Sequence, residues 1–279
     1  MKEKKTGSGK YWLIALLVLL VAIAGYFLFA RDKASAPAPV PVPDPIVVPV
    51  DESVPPVPPE PPIQTLTKEP EEAPAVNPIE PLPSETPLPE LSASDEPFRL
   101  ALGEIGGRAM VTQILSEELI YHIVVTIDNL PRKHLPASIV PLKRAAGVFV
   151  AVGKDESLAI GAENSKRYSP YTAVAKSINS AQLVDLYRRY YPLFQSAYRE
   201  LGYPQAHFND RLVEAIDDLL AAPAPSIPVR LTQPRVLYEY ADPKTEDRSA
   251  GQKIMIRIGQ ENAAAIKKKL ADIRALIAR

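Results

Sequence analysis

Tyrosines and arginines are concentrated in one stretch of the sequence, and together they could bind a glycan or a peptide. The stretch contains seven tyrosines and four interleaved arginines: Tyr168, Tyr171, Tyr187, Tyr190, Tyr191, Tyr198, Tyr203, Arg167, Arg188, Arg189 and Arg199. Aromatic rings offer flat faces, and the planar guanidinium pairs with carboxylates through two hydrogen bonds. The candidate binding residues are Tyr187, Arg188, Arg189 and Tyr191. The alternative is that the tyrosines form the rim of a hydrophobic core.

Two adjacent acids, Asp217 and Asp218, lie near the C-terminal end of another predicted helix, where the helix dipole disfavours negative charge. They are poorly placed as an acid–base pair, because adjacent residues on a helix do not face each other. We expect Asp217 to pair with an arginine of a neighbouring helix, and we count it as a fifth candidate binding residue. Asp218 is expected to point away from the apolar stripe.

The sequence indicates no catalytic residue, no cofactor site and no metal site. The three histidines, His122, His134 and His207, do not have the spacing of a zinc motif. The chain has no cysteine, which excludes disulfides and thiolate metal ligands. Phosphate-binding and dinucleotide-binding glycine motifs are also absent from the sequence.

The elements that must position these residues are mostly helices. Apolar residues at spacings of three and four predict a long helix from Ser180 to Leu201, with a kink at Pro192 because proline cannot donate to the carbonyl of Arg188. Asn209 is predicted to cap the helix that carries Asp217. A last helix follows Gly259, and an interrupted first helix contains two glycines.

The β-prone segments are short. Residues 147–160 predict a small hairpin, and residues 229–231 and 236–240 predict short strands. Residues 252–258 fit either a strand or a helix capped by Ser249, and we favour the helix. Ser169 followed by Pro170 predicts a helix start. The expected fold class is mainly α (α+β), with one small β element.

An uncharged apolar run of 20 residues begins at Tyr11 and ends at Ala30. As a helix it would span ~30 Å, the thickness of the hydrocarbon core of a bilayer. Four lysines precede the run and two basic residues follow it, which favours a cytoplasmic N-terminus. We therefore expect a single-pass inner-membrane protein with residues 1–10 in the cytoplasm and its C-terminal domain in the periplasm.

Residues 31–93 are acidic and rich in proline. Between residues 35 and 97 lie 20 of the 31 prolines of the chain. Proline fixes φ and has no N–H to donate, so such a segment favours extended polyproline II over helix or sheet. We predict a disordered linker without packed structure and a folded domain over residues 94–279. The linker is either a spacer that holds the domain away from the membrane or a connection whose length is not under selection.

Charge is unevenly distributed along the chain. The formal net charge is +4 over residues 1–34, −11 over residues 35–97 and +6 over residues 98–279. A basic domain in the envelope could bind peptidoglycan or another envelope protein, or it could contact its own acidic linker. Nucleic acid is not expected as a partner outside the cytoplasm.

Several runs of the C-terminal part resemble a known family. They are VTIDNLPR (125–132), LYRRYYPL (186–193), ELGYP (200–204), DRLV (210–213), SAGQK (249–253) and GQEN (259–262). These runs are similar to those of proteobacterial membrane-anchored proteins that carry a C-terminal domain of unknown function. The resemblance covers most of residues 90–279 and implies an envelope location. It supplies no activity, substrate or catalytic residue.

We therefore expect a membrane-anchored periplasmic module that binds a partner or acts as a scaffold. The alternative is a hydrolase or another enzyme that acts on cell-wall material. An enzyme requires a deep pocket with convergent polar groups, whereas a binding module requires a shallow aromatic–arginine groove or an apolar patch.

Overall fold

The computed structural model describes residues 74–84, 86–114 and 117–278. This part of the chain forms eight α-helices and four two-residue strands. The helices are α1 (Asp95–Val111), α2 (Leu119–Asn129), α3 (Glu163–Ser177), α4 (Ser180–Glu200), α5 (Phe208–Leu220), α6 (Pro243–Glu246), α7 (Ala250–Arg257) and α8 (Gln260–Ile277). The strands are β1 (Ala151–Val152), β2 (Ala159–Ile160), β3 (Leu231–Thr232) and β4 (Glu239–Tyr240). The prediction of a mainly helical domain with a small β element is confirmed for these residues.

The predicted cytoplasmic segment 1–10, the predicted membrane helix 11–30 and most of the predicted linker lie outside the described residues. Within the described ranges, none of the helices combines the length and the apolar composition that a bilayer span requires. The membrane helix therefore stays a prediction.

Helix α2 lies in the middle of the helical core. Eight of its 11 residues are buried, which is typical of a helix enclosed on all sides. It packs against α4 and α5. Its start is held by Asp95 of α1, whose carboxylate accepts hydrogen bonds from the amides of Glu118 at 2.6 Å and Leu119 at 2.7 Å. Asp95 thus satisfies two of the donors that a helix start leaves unpaired.

Helix α1 bends where the sequence places two glycines. Gly107 has a φ of 65°, outside the helical region, and it divides the helix into two segments. Glycine adopts this conformation readily because it has no Cβ. The prediction of an interrupted first helix is confirmed.

Helix α3 runs through a proline. It begins at Glu163, so the predicted start at Ser169 and Pro170 is wrong. Pro170 removes the N–H that would bond to the carbonyl of Lys166. Both residues are exposed, so water can supply the missing donor and the helix continues.

Helix α4 carries the predicted apolar stripe. The side-chain oxygen of Asn179 accepts a hydrogen bond from the amide of Ala181 at 2.9 Å, so Asn179 and not Ser180 is the N-cap. The buried stripe consists of Leu183, Leu186, Tyr190, Leu193, Phe194 and Ala197. The helix continues through Pro192, which leaves the carbonyl of Arg188 open to a donor from outside the helix.

Asn209 does not cap α5, as the sequence predicted, but lies buried inside it, and His207 occupies the N-cap position. The Nδ2 group of Asn209 donates to the carbonyls of Asn77 at 2.7 Å and Ile277 at 3.0 Å. Its Oδ1 accepts from the Tyr187 hydroxyl at 3.2 Å. The side chain is therefore committed to joining three distant segments, which leaves it unable to cap its own helix.

The strands form two antiparallel pairs, β1 with β2 and β3 with β4. A single antiparallel bridge between Ala159 and Arg230 joins the pairs. The inner residues Leu231 and Tyr240 pack with Ile256 of α7 into a second, smaller core. The predicted hairpin is confirmed, and so is the helix over residues 252–258, whose N-cap is Ser249.

Two lysines of α8 hold the ends of other helices. Lys267 Nζ donates to the carbonyl of Leu220 at 2.8 Å and to that of Ala222, at the C-terminal end of α5. Lys269 Nζ donates to the carbonyl of Ile178, just after α3. These cations are placed where helix dipoles favour positive charge.

Candidate functional site

Residues 74–84 and 86–93, which we call the strap, lie across α4 and α5 and end in a 3-10 turn at Leu91–Ala93. The backbone amide of Leu82 donates to the carbonyl of Arg188 at 3.2 Å. The Nε group of Arg188 donates in return to the carbonyl of Glu80 at 2.9 Å. Arg188 thus binds the protein's own strap through both its backbone and its side chain.

The first residues of the strap are held by α5. Asp210 lies in the first turn of α5, and its carboxylate accepts hydrogen bonds from the amides of Val76 at 3.0 Å and Asn77 at 2.6 Å. It also accepts from Asn77 Nδ2 at 3.2 Å. Because the acceptor is ionised, these bonds are stronger than bonds between neutral groups.

The prediction that residues 31–93 lack packed structure is wrong for the described residues from 74 onward. Ile79, Leu88 and Leu91 pack against the main core. The prolines of this segment remove donors only at their own positions. The amides of Val76, Asn77 and Leu82 remain, and these are the amides that bind the domain.

The structure places Tyr187 and Tyr191 in the core. Tyr187 is 2% exposed, and its ring contacts Phe194 and Phe208 edge-on. Burial raises its pKa well above the ordinary value. The Tyr191 hydroxyl donates to Gln195 Oε1 at 3.0 Å in the interior. Neither ring lines an exposed groove, so the interpretation of these tyrosines as part of the core is the one that the structure supports.

The other predicted binding residues are divided among separate places. Arg189 is exposed on α4. Asp217 pairs with Arg274 of α8, where Arg274 Nη2 donates to Asp217 Oδ2 at 3.0 Å and Nε donates to the other oxygen. Asp217 therefore has the predicted arginine partner, but the five candidate residues do not form one site.

Asp218, expected to point away from the core, is half-buried against α7. Its carboxylate accepts hydrogen bonds from Ser249 Oγ at 2.6 Å and from Gln252 Nε2 at 2.8 Å. Burial raises the pKa of Asp218, although the two hydrogen bonds oppose this effect. The carboxylate therefore connects α5 to the start of α7.

Among the residues that the structure describes, no group of three or more His, Cys, Asp or Glu side chains is arranged to hold a metal ion. His122 lies with its Nδ1 atom 2.8 Å from the carbonyl oxygen of Ile139. It links α2 to the 3-10 turn that follows.

An open groove of about 930 Å³ lies beside α4, next to the apolar stripe, whose Leu193 reaches the groove wall. It is bounded by the 3-10 turn of the strap, the start of α2 and the exposed side of α4. The lining residues are Glu90, Leu91, Ser92, Glu118, Tyr121, Pro192, Leu193, Ser196, Arg199 and Glu200. Its volume falls in the range of ~300–1,000 Å³ that is common for ligand sites.

The lining is predominantly polar. It combines the half-buried ring of Tyr121, the guanidinium of Arg199, two serine hydroxyls and three glutamates. Rings can stack on the apolar face of a sugar, and carboxylates and guanidinium groups can bond to its hydroxyls. In the sequence, Pro192, Ser196 and Arg199 recur at spacings of four and three opposite the apolar stripe. This spacing was the one signal in the sequence that pointed to the groove. The lining residues from α2 and the strap give no such signal, because their position depends on tertiary packing.

Residues 119–274 match the family described as Protein of unknown function (DUF3014). The match covers more than half of the chain. The chain belongs to the DUF3014 family. No curated protein and no solved structure matches it. The expectation of a C-terminal domain of unknown function is thereby confirmed, and the strap and α1 precede the matched DUF3014 residues.

A buried charge network, which sequence analysis missed, is built from three of the runs that carry the family resemblance. In this DUF3014 protein the runs are VTIDNLPR, ELGYP and DRLV. Asp128 is 4% exposed, and its carboxylate accepts from Arg211 Nε at 3.0 Å and from Arg132 Nη2 at 2.7 Å. Arg132 Nη2 also donates to the Tyr203 hydroxyl at 2.7 Å. Burial, followed by the charge of Asp128, raises the pKa of Tyr198 to about 12. These residues join α2 to α4 and α5.

Asn262 plays a similar part in the DUF3014 domain. Its Nδ2 group donates to the carbonyls of Ser165 and Ile258, each at 2.8 Å, and its Oδ1 accepts from Thr172 Oγ1 at 3.0 Å. A buried amide with all these partners fixes the position of α8 against α3. The run GQEN therefore has a structural role here.

Proposed function

We propose that this DUF3014 protein is anchored in the inner membrane of a proteobacterium by residues 11–30. In this proposal, residues 1–10 lie in the cytoplasm and the DUF3014 domain lies in the periplasm, behind a proline-rich tether. The uncharged run of 20 residues and the excess of lysines before it support the proposal.

The domain is proposed to act as a binding or scaffolding module of the cell envelope. The observation that carries this proposal is the groove beside α4, because it is open, polar and large enough for several sugar or peptide units. Its ring and guanidinium also correspond to the type of surface expected of a binding module. The groove is open, whereas an enzyme is expected to have a deep pocket, and this favours binding over catalysis.

Peptidoglycan is the proposed ligand. A glycan offers hydroxyls to the glutamates and serines of the groove and an apolar sugar face to Tyr121.

Cosedimentation with isolated peptidoglycan sacculi tests this ligand. The purified full-length protein should sediment with sacculi, and Arg199→Ala or Glu200→Ala should weaken sedimentation without changing thermal stability. Lys176→Ala, an exposed change on α3, is the matched control and should bind like the wild type. Undiminished binding of both groove variants would exclude the groove.

A protein partner would give a different result. A photoreactive amino acid in place of Ser196 would then form a crosslink to one envelope protein in intact cells, while sacculi would fail to bind. The same residue in place of Lys176 is the control and should form no such crosslink.

The second candidate function is a hydrolase that acts on cell-wall material, and the observation that favours it is the presence of three glutamates in the groove. Carboxylate pairs serve as acid and base or nucleophile in glycoside hydrolysis. A hydrolase should release soluble fragments from sacculi, and Glu90→Gln, Glu118→Gln or Glu200→Gln should abolish the release. Binding without release supports the module.

The proposed topology has its own test. A reporter that is active only in the periplasm, fused after Arg279, should be active in cells. Activity of a cytoplasm-requiring reporter at the same position would reverse the orientation.

A further inference from the structure

A second cavity, which we call the proline pocket, lies between the loop after α5 and the segment from β4 to the start of α7. It shares no lining residue with the groove. Its volume is about 410 Å³, within the ~300–1,000 Å³ that is common for ligand sites. Three prolines and a valine, two arginines and one carboxylate contribute to its lining. The pocket therefore combines an apolar wall with a small excess of positive charge.

The apolar wall of the pocket is fixed in position. It consists of Pro223, Pro225, Pro228 and Val229. The ring of each proline fixes its φ angle. The carbonyl of Val229 accepts a hydrogen bond from the amide of Ile160 at 2.9 Å, and the carbonyl of Pro225 accepts from Gln260 Nε2 at 3.1 Å. Because the loop is attached to the domain at both places, the wall loses little entropy when a ligand binds.

Arg248 lines the pocket just before α7, and its side chain is half-buried. Its Nη1 group donates to Gln252 Oε1 at 2.9 Å, and Gln252 Nε2 donates in turn to Asp218 Oδ1 at 2.8 Å. The bond to Gln252 is the one hydrogen bond that the Arg248 side chain makes to the residues that the structure describes. Its Nε group is buried and has no partner among them. Buried donors are nearly always hydrogen-bonded, so an unpaired one requires an explanation.

The open edge of the Arg248 guanidinium suits a carboxylate. The Nε and Nη2 groups donate from the same edge of the planar group, whereas Nη1, which is bonded to Gln252, lies away from that edge. Two donors on one edge match the two oxygens of a carboxylate. Nη2 is not among the buried unpaired groups, so a ligand can reach it. A carboxylate bound there would also provide the acceptor that the buried Nε group lacks.

The other charges of the pocket favour a ligand with a single negative charge. Asp242 supplies the carboxylate of the lining, and its oxygens accept from the amides of Lys244 and Thr245, each at 3.2 Å, at the start of α6. Arg230 is exposed and donates through Nη1 to the carbonyl of Glu156 at 3.3 Å. Two arginines against one carboxylate give the described lining a net charge of +1, which complements a monovalent anion.

We propose that the proline pocket binds the C-terminal residue of a protein chain that ends in an apolar side chain. In such a residue the carboxylate and the apolar side chain are attached to the same carbon atom, so both fit into one cavity. The carboxylate bonds to Arg248, and the side chain packs against the proline wall. A leucine side chain buries more apolar surface there than the methylene groups of a glutamate do. The proposal does not depend on the groove or on its ligand.

Fluorescence anisotropy with the purified full-length protein tests the proposal. The probe is a labelled pentapeptide that ends in leucine with a free carboxylate. One control is the same peptide with a C-terminal amide, and the other ends in serine with a free carboxylate. The probe should bind about tenfold more tightly than the amide, as expected for a hydrogen bond between charged groups. It should also bind about tenfold more tightly than the serine peptide, because a buried leucine is lost. Equal binding of the probe and either control would overturn the proposal.

Variants locate the site. Arg248→Gln should weaken binding of the probe by about tenfold and leave binding of the amide unchanged. Arg248→Lys should restore only part of the affinity, because lysine lacks the two parallel donors. Arg230→Gln, at an exposed position of the lining, should weaken the probe by about threefold. Arg235→Gln removes an exposed arginine outside the lining and is the matched control, which should bind like the wild type.

The variants also decide the question if one of them does not fold. A folded Arg248→Gln that binds the probe like the wild type would overturn the assignment. If Arg248→Gln does not fold, an unchanged affinity in Arg230→Gln would overturn it instead. Glu200→Ala, a change in the groove, should leave binding of the probe unchanged. Loss of binding in this variant would place the peptide in the groove and contradict the proposal.

Competition experiments test the kind of chain end. An amidated peptide with glutamate as its last residue should compete no better than the amide control. If it competes as well as the leucine acid, the pocket recognises any carboxylate and the assignment to a chain end is wrong. Soluble cell-wall peptides should also compete less well than the leucine acid. Stronger competition by the cell-wall peptides would assign the pocket to the cell wall and overturn the choice of a protein chain.

Discussion

The amide of Leu82 donates a hydrogen bond to the carbonyl of Arg188, an acceptor that α4 leaves open because residue 192 is a proline. In a regular helix the N–H of residue 192 would occupy this carbonyl. The proline within α4 therefore creates an attachment point for a segment that lies about one hundred residues earlier in the sequence.

Limited proteolysis of the purified protein should yield a stable fragment that begins near residue 74 and not near residue 94. Leu82→Pro removes the donor of the bond to Arg188 and should make the strap sensitive to protease up to about residue 90. Thr86→Pro, at an exposed position of the same strap, is the matched control. Mass spectrometry of the fragments gives the readout, and an unchanged fragment in Leu82→Pro would show that this bond does not hold the strap.

Asp210→Asn should loosen the start of the strap. The carboxylate accepts three hydrogen bonds from Val76 and Asn77, and the neutral amide has only one oxygen to replace both acceptors. We expect a loss of about 1–2 kcal/mol in the free energy of unfolding. Hydrogen exchange should show faster exchange at Asn77 and unchanged exchange in α2. Equal exchange at Asn77 in both proteins would contradict the role given to Asp210.

Two ion pairs of similar geometry should differ in energy. The side chains of Arg274 and Asp217 are 41% and 47% exposed, so a double-mutant cycle to alanine should give a coupling of only about 0.2–1 kcal/mol. Arg211 and Asp128 are 14% and 6% exposed. Arg211→Ala leaves the buried Asp128 with Arg132, which is half-exposed, and should cost about 3 kcal/mol, the lower end of the range for breaking a buried pair.

Denaturant unfolding provides the measurement for both pairs. As a control, Arg188→Ala combined with Asp217→Ala should be additive, because Arg188 bonds to the strap and not to Asp217. A strong coupling between Arg188 and Asp217, or a small cost for Arg211→Ala, would contradict the pairing seen in the structure.

Asp218 should make the stability of the domain depend on pH in a particular direction. Burial raises its pKa above the ordinary 3.8, so the folded state binds the proton more tightly than the unfolded state does. The resulting stabilisation is present below pH 3.8 and is lost as the pH rises through the raised pKa. The difference in Tm between the wild type and Asp218→Asn should therefore decrease as the pH rises through this window. If the Tm of both proteins changes with pH in parallel, the pKa of Asp218 is not raised in the folded state.

Helix periodicity and caps predicted much of the fold. The stripe of α4 is buried as its spacing indicated, and Ser249 caps the helix that the alternation of Ile254, Ile256 and Ile258 had left ambiguous. The errors arose where tertiary contacts compete with local preference. Asn209 has the chemistry of an N-cap, but its side chain bonds to three distant segments and is buried.

The candidate site was harder to predict than the fold, because the relevant contacts are far apart in sequence. Proline density concealed the strap, since the hydrogen bonds that hold it come from the few residues between the prolines. The cluster of tyrosines indicated a binding surface, but the Tyr187 hydroxyl donates its hydrogen bond to Asn209 in the interior. The groove could be anticipated from the sequence only through the polar positions of α4, among them Ser196 and Arg199.

The docked strap also limits the distance between the domain and the bilayer under the proposed topology. A chain spans at most ~3.6 Å per residue, so the segment from residue 31 to residue 73, about 43 residues, reaches roughly 150 Å. With an undocked strap, the free segment would extend to residue 93 and reach roughly 225 Å. If the proposed topology holds, the hydrogen bonds of Arg188 and Asp210 to the strap set how far from the bilayer the groove can reach, while the helical core stays unchanged.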